Sequence, residues 1–316
     1  MKIAVLIYIF NGVEFLGEQL QSLLKQDISE KAEVNIFAWD DGSSDKSQDI
    51  LDRYHREGKL TWIQGETVGK TKGYWNLLEK SGEADYYAFC EQDDVWFPKK
   101  LSRAIKYLET KAILEGEETE VSDNPLLYCS ECTVTNAKLK PINFRKNPAN
   151  KYVDFEHSLI YSSMPGCTYV MNLSARNRLL EYDVNLCPAA DYEDLARNII
   201  FIVGKVVFDR VPTMYRRKNK GDKFKDGYHG GILGYIKLMM SLFSGKEAKV
   251  KSRTAQSLMN VFEPEIKNQD QLHAIKQVAN YIEDSVERER LVNNPKFVTG
   301  SFNDKWFKSA VKSNKL

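Results

Sequence analysis

The chain has 316 residues, 42% hydrophobic and 28% charged, with a net charge of +1. This is the balance of an ordinary globular protein, with room for one large domain or two modest ones. The near-neutral charge leaves no electrostatic footprint for nucleic acid, and no apolar run reaches membrane-spanning length. In chain order, "KIAVLIYIF" is a continuous Ile/Val-rich run that suits a strand covered on both faces. It reads as a buried first strand and not as a signal peptide, so the expected location is the cytoplasm. "GVEFLGEQLQSLLKQ" then places Phe15, Leu16, Leu20, Leu23 and Leu24 at helical spacing. "AEVNIFAW" predicts a second strand, and "SSDKSQDILDRYHRE" a helix capped by Ser44 or Asp45, with Ile50, Leu51 and Tyr54 on one face. "LTWIQ" is strand-like, "GYWNLLEKS" helical and "ADYYAFC" the next strand. Repeated strand–helix–strand units predict an α/β fold with a doubly wound, mostly parallel sheet and helices on both faces.

In such sheets ligands bind beyond the carboxyl ends of the strands, and the unusual polar residues fall there. The first strand ends at Asn11-Gly12, the second at Asp40-Asp41-Gly42-Ser43-Ser44-Asp45, and the strand near 85–90 at Glu91-Gln92-Asp93-Asp94. Gly42 to Asp45 read as a turn and a helix cap, but capping does not explain the pair Asp40 and Asp41. Neighbouring carboxylates repel one another unless a cation sits among them, so the 91–94 cluster predicts a hard divalent cation. No GxGxxG follows the first strand and no GxxxxGK[ST] occurs in the chain, which removes the dinucleotide-binding and P-loop readings. The five cysteines (90, 129, 132, 167 and 187) are odd in number and scattered, unlike a disulfide framework. Cys129-Ser-Glu-Cys132 has no second pair and the four His have no ligand spacing, which argues against zinc.

Taken together, Phe10-Asn11, "DDGSSD", "EQDDVWFPKKL", "PGCTYVMN" (165–172), "DYEDLARN" (191–198) and "VPTMYRRKNKGD" (211–222) resemble family 2 glycosyltransferases of the GT-A fold. They stand in that family's order over roughly residues 1–220, and resemble its bacterial rhamnosyltransferase-like branch in particular. The resemblance implies that Asn11, Asp40 and Asp41 meet the nucleotide, with Asp41 on the pyrimidine base. It implies that Asp93, with Glu91, holds Mg²⁺ or Mn²⁺ on the diphosphate, and that Arg216, Arg217 and Lys218 help to neutralise it. Gly166, Cys167 and Thr168 would lie on the acceptor side. Asp191 would be the general base, chosen over Asp194 because Arg197 stands six residues after it. The chain departs from the family's pattern at Tyr8, Glu91, Ala190 and Lys218.

Beyond the motifs, "GGILGYIKLMMSLFSGKEAKVKSR", "LHAIKQVANYIEDSVERERL" and "FNDKWFKSAVKSNKL" are amphipathic or basic and carry no catalytic motif. The expected organisation is a GT-A nucleotide-sugar domain over 1–227 and a helical subdomain over 228–316. That subdomain either packs on the sheet domain or, through Trp306, Phe307 and neighbouring lysines, meets an anionic membrane surface. The resemblance implies an inverting transferase that takes a dTDP- or UDP-sugar and a glycan or lipid-linked oligosaccharide acceptor in bacterial surface polysaccharide synthesis. Its alternatives are a UDP-hexose transferase of the same fold and a degenerate, non-catalytic binding module.

Overall fold

The computed structural model describes residues 1–114, 124–142, 153–160, 164–218 and 246–297, together with 308, 311 and 312. The amino-terminal alternation runs β1 (Lys2–Ile9), α1 (Leu16–Leu23), β2 (Glu33–Asp40), α2 (Ser47–Arg56), β3 (Thr61–Gln64), α3 (Lys70–Lys80) and β4 (Tyr86–Glu91). Next come β5 (Val95–Trp96), α4 (Lys100–Leu114), β6 (Leu126–Ser130), β7 (Thr133–Thr135) and the short α5 (Phe155–Ile160). A 3-10 turn (Gly166–Thr168) leads into β8 (Val170–Asn172), α6 (Leu173–Leu180), α7 (Tyr192–Val203), β9 (Lys205–Asp209) and β10 (Met214–Arg217). Three more helices are described, α8 (Lys246–Phe262), α9 (Gln269–Asn280) and α10 (Ser285–Asn293).

The chain divides into two compact units. The first takes Met1–Asn143, Met164–Val184 and Gly204–Asp222. The second takes Phe144–Ser163, Asn185–Val203 and Lys223–Leu316. The division is thus interleaved, where the sequence reading draws one boundary after 227. The cause is tertiary: α5 and α7 pack on each other and on α8, and α5 also packs on α9.

In the first unit a seven-stranded sheet has the order β3-β2-β1-β4-β8-β6-β9. β3, β2, β1 and β4 are parallel neighbours, β8 runs antiparallel to both β4 and β6, and β9 returns parallel to β6. The mostly parallel sheet of the sequence reading is therefore present, with one antiparallel strand inserted. Ile3, Val5, Ile7 and Ile9 of β1 are fully buried and share a core with Leu16, Leu20 and Leu23 of α1. Leu24, expected on that face, is instead 44% exposed just past the helix end. A second, three-stranded sheet runs β5-β10-β7. Asn172 joins elements at the end of β8, where its Oδ1 accepts from Ala175 N–H (3.0 Å), capping α6, and from Leu126 N–H (2.9 Å) on β6. None of the described helices is long and apolar enough to cross a membrane. The segment 231–245, Trp306 and Phe307, which carry the membrane-surface reading, lie outside the described residues.

Candidate functional site

The parallel register brings the polar strand ends level. Ile9 of β1 pairs with Asp40 of β2, and Tyr8 pairs with Glu91 of β4. Side chains then lace the three loops together. Gln92 bonds both ways with the Phe10 backbone, accepting from its N–H (2.8 Å) and donating to its carbonyl (3.0 Å). Asn11 takes positive φ (50°), which Asn tolerates, and its Oδ1 accepts from Ser44 N–H (2.8 Å). The Asp45 carboxylate accepts from Val13 N–H (3.0 Å) and Ser47 N–H (2.8 Å), so Asp45 is the residue that fixes the start of α2.

Asp40 and Asp41 are both buried, and both are committed to protein donors. Asp40 accepts from Ser43 N–H (3.2 Å), the Ser43 hydroxyl and Gln48 Nε2 (2.7 Å). Asp41 accepts from Tyr8 OH (2.7 Å), Trp39 Nε1 (3.1 Å), Val68 N–H (2.9 Å) and Gly69 N–H (3.0 Å). A carboxylate offers about four acceptor positions, so Asp41 is full. A base N–H could reach it only by replacing one of these donors. Tyr8, a departure from the family pattern, is one of the four, and burial together with that bond to Asp41 raises its phenol pKa.

Glu91, Asp93 and Asp94 form the one acidic group of metal-binding geometry among the described residues, with an oxygen from each within 4.8 Å of the others. Asp94 is 1% exposed; its Oδ1 accepts from Arg217 N–H (3.2 Å), and its Oδ2 has no hydrogen-bond partner among the described residues. Burial, then the charges of Asp93 and Glu91, push the Asp94 carboxyl well above the ordinary range, against the pull of Arg216 and the Cys167 thiol. A buried carboxylate oxygen left open beside two more carboxylates is an all-oxygen donor set that fits a hard divalent ion such as Mg²⁺ or Mn²⁺. Glu91 Oε1 also pairs with Lys70 Nζ at 2.6 Å, a residue that the sequence reading does not single out. Its one sequence signal is position, directly after Gly69 at a helix start.

Two groups of the expected site residues are buried. Arg217 is 3% exposed, and its guanidinium donates to Asp93 O (2.8 Å), Ala137 O (3.1 Å) and the Glu18 carboxylate, over the Phe15 ring. It fastens the acidic loop from inside and is spent on protein acceptors; Arg216 and Lys218 of the same strand end are half-buried. Gly166, Cys167 and Thr168 are likewise buried. Thr168 Oγ1 donates to Pro165 O (2.7 Å), while Thr168 O accepts from Lys100 Nζ (3.1 Å). Lys100 is itself fully buried, 4.8 Å from the Trp96 ring centroid, and burial lowers its ammonium to about 8.

In the second unit, Asp191 precedes α7 and its carbonyl accepts from Leu195 N–H (3.0 Å), the position of an N-cap residue. Asp194, one turn on, pairs with the fully buried Arg197 at 2.7 Å, and Arg197 also donates to Ser158 O (3.1 Å). Asp191 and Asp194 line one cavity of this unit with Ser158, Asn198, Lys251 and Thr254. The cysteines are free thiols; Cys129 Sγ lies 3.1 Å from Met164 Sδ and forms no disulfide with Cys132.

A parallel sheet with a carboxylate cluster at its strand ends and one antiparallel strand inserted is a GT-A type of α/β fold. Solved structures agree. The crystal structure of Staphylococcus aureus TarS 1-349 in complex with UDP superposes with a TM-score of 0.55 at 14% identity, over 100% of this chain and 89% of that one. Residues 4–116 match the family described as Glycosyl transferase family 2. Among curated relatives, an uncharacterized glycosyltransferase of Nostoc sp. is 30% identical over 116 residues, 36% of this chain and 35% of that protein. The dTDP-rhamnosyl transferase RfbG of Shigella flexneri is 24% identical over 230 residues, 68% of this chain and 72% of that protein. The chain thus spans about a third of the first relative and nearly three quarters of the second.

Proposed function

We propose that the chain is an inverting, metal-assisted glycosyltransferase that moves a sugar from a nucleoside diphosphate donor to a glycan or lipid-linked oligosaccharide acceptor in bacterial surface polysaccharide synthesis. The observation that carries the reading is the open, buried oxygen of Asp94 within the Glu91–Asp93–Asp94 cluster, inside the family-matched region. A divalent ion held by Asp93, Asp94 and Glu91 would supply charge stabilisation to the departing diphosphate. Arg216 and Lys218 add positive charge for the same anion. Asn11, Asp40 and Asp41 serve the nucleotide end, where a base N–H would take the place of Val68 or Gly69 N–H on Asp41. Asp191 accepts the proton of the acceptor hydroxyl, and a single displacement inverts the anomeric centre. Asp194, already paired with Arg197, is the weaker choice for that base. The donor we favour is dTDP-rhamnose, because the match to RfbG extends over most of both chains. A cytoplasmic place of action, with peripheral membrane contact through the basic, aromatic carboxyl-terminal segment, belongs to the same proposal.

The test is a thermal-shift and turnover screen of dTDP- and UDP-sugars with and without Mn²⁺. One nucleotide sugar should stabilise the protein more with Mn²⁺ than without, and release its nucleoside diphosphate. Asp93→Ala should lose the Mn²⁺-dependent part. Asp191→Asn should keep donor binding while kcat falls roughly a hundredfold, the scale of a lost general base. Unchanged turnover of Asp93→Ala in EDTA would remove the metal from the proposal. No response to any nucleotide sugar would remove the transferase.

A further inference from the structure

Lys70 is held in place by its neighbours along the chain. Gly69 has φ 84° and ψ 162°, a conformation that essentially only glycine takes, and α3 starts at the next residue. Thr67 Oγ1 donates to Asp41 O (2.9 Å), and Val68 and Gly69 donate their N–H groups to the Asp41 carboxylate (2.9 and 3.0 Å). Three successive residues are thus fixed on one buried aspartate. The fourth, Lys70, delivers its ammonium to Glu91 Oε1 at 2.6 Å. Glu91 is one of the three residues of the acidic group, whose buried member Asp94 has an oxygen with no hydrogen-bond partner among the described residues.

We propose that Lys70 is the resident counter-cation of the acidic cluster, and that a divalent ion binds by displacing it from Glu91. This rests on the reading of Glu91, Asp93 and Asp94 as the metal site. The ammonium is a single point charge that meets Glu91, whereas a divalent ion would take an oxygen from all three carboxylates. A protonated lysine offers no lone pair to a metal, so the two cations cannot share the Glu91 oxygen. Release of Lys70 is easy: its side chain is 41% exposed, and exposed ion pairs of long side chains are weak. Retention is favoured by the anchored start of α3, which limits the positions the stem must search. The pair also gives a use to glutamate at position 91. The longer side chain reaches Lys70 and keeps one carboxylate neutralised while the cluster holds no metal.

Mn²⁺ alone is the probe, titrated by electron paramagnetic resonance into the full-length protein. Lys70→Met should bind Mn²⁺ roughly three- to fivefold more tightly than wild type, the upper scale of one partly exposed ion pair. Lys70→Arg should stay near wild type. Lys72→Met, which removes an exposed charge two residues away on the same helix, should change affinity less than about twofold, because solvent screens it. Acetylation of Lys70 in wild type should speed up when Mn²⁺ is added, with Lys72 unaffected. Lys70→Met binding no tighter than wild type, or Lys70 acetylation unchanged with Mn²⁺ bound, overturns the displacement while leaving the metal site standing. Asp93→Ala binding Mn²⁺ as well as wild type overturns the metal site, and the displacement with it.

Discussion

Single residues decide how the strand ends are charged, and Asp209 shows this away from the candidate site. It ends β9, where Arg103 of α4 meets both of its oxygens (2.5 and 3.0 Å), Tyr128 OH adds a third bond (2.9 Å) and Val211 N–H a fourth (3.0 Å). Burial alone would raise the Asp209 carboxyl, but the donors, Arg103 first, outweigh it and hold its pKa below the ordinary value. A depressed carboxylate contributes stability above its unfolded pKa, and that contribution is lost as pH falls through the folded value. Arg103→Leu should therefore begin to unfold at a higher pH than wild type in an acid titration followed by circular dichroism. The difference should be absent when Asp209→Asn is the background. None of this is legible in "VVFDRVP", which reads as a strand end and a turn. The acidic cluster was legible because adjacent carboxylates after an apolar run are rare without a purpose. Lys70 and Lys100 were not: among 45 Lys and Arg residues, nothing local marks Lys100 as buried or Lys70 as aimed at Glu91. Asp41 was legible as special, yet three of its four donors, Tyr8, Val68 and Gly69, come from distant parts of the chain.

Elements were readable in proportion to their length and periodicity. The units from β1 to β4 follow from continuous apolar strands separated by helical spacing, and these strands carry the loops of the candidate site. β5, β7 and β8 have two or three residues each, too few for any period, so neither the antiparallel insertion nor the second sheet could be foreseen. The grouping of α5 and α7 with α8 was hidden for another reason, since it depends on packing between segments far apart in sequence. Gly204, just before β9, is a test of how tightly these edges are set. A Cβ there would stand 2.1 Å from the Pro125 carbonyl oxygen and 2.9 Å from its carbon, and Lys205 N–H donates to that same carbonyl (2.9 Å). Backbone atoms cannot rotate away as a flexible side chain can, so β6 and β9 must separate locally to admit a methyl group. Gly204→Ala should cost roughly 1–3 kcal/mol, the usual scale of overpacking, in urea denaturation. A loss below about 0.5 kcal/mol, within the range of ordinary surface changes, would mean that this edge gives way freely.

At the scale of the whole molecule, a site kept for chemistry lowers the stability that the sheet core supplies. Asp94 is the residue where that conflict is sharpest. It is 1% exposed, one of its oxygens has no hydrogen-bond partner among the described residues, and two further carboxylates stand within reach. Whether it sits there ionised or protonated, the fold carries a cost that an uncharged side chain of the same shape largely avoids. Asp94→Asn should accordingly melt higher than wild type in EDTA, by roughly 2–4 °C if about 1 kcal/mol is recovered. Mn²⁺ should reverse the order. The ion binds the folded carboxylates and not the unfolded chain, so wild type gains stability with Mn²⁺ concentration, and Asp94→Asn, short of one charged ligand, gains much less. Reading both proteins by differential scanning calorimetry at several Mn²⁺ concentrations gives the crossing point directly. If Asp94→Asn melts below wild type even in EDTA, the carboxylate is a net structural asset through the Arg217 N–H bond. The open oxygen then costs nothing, and its burial needs no cation to offset it.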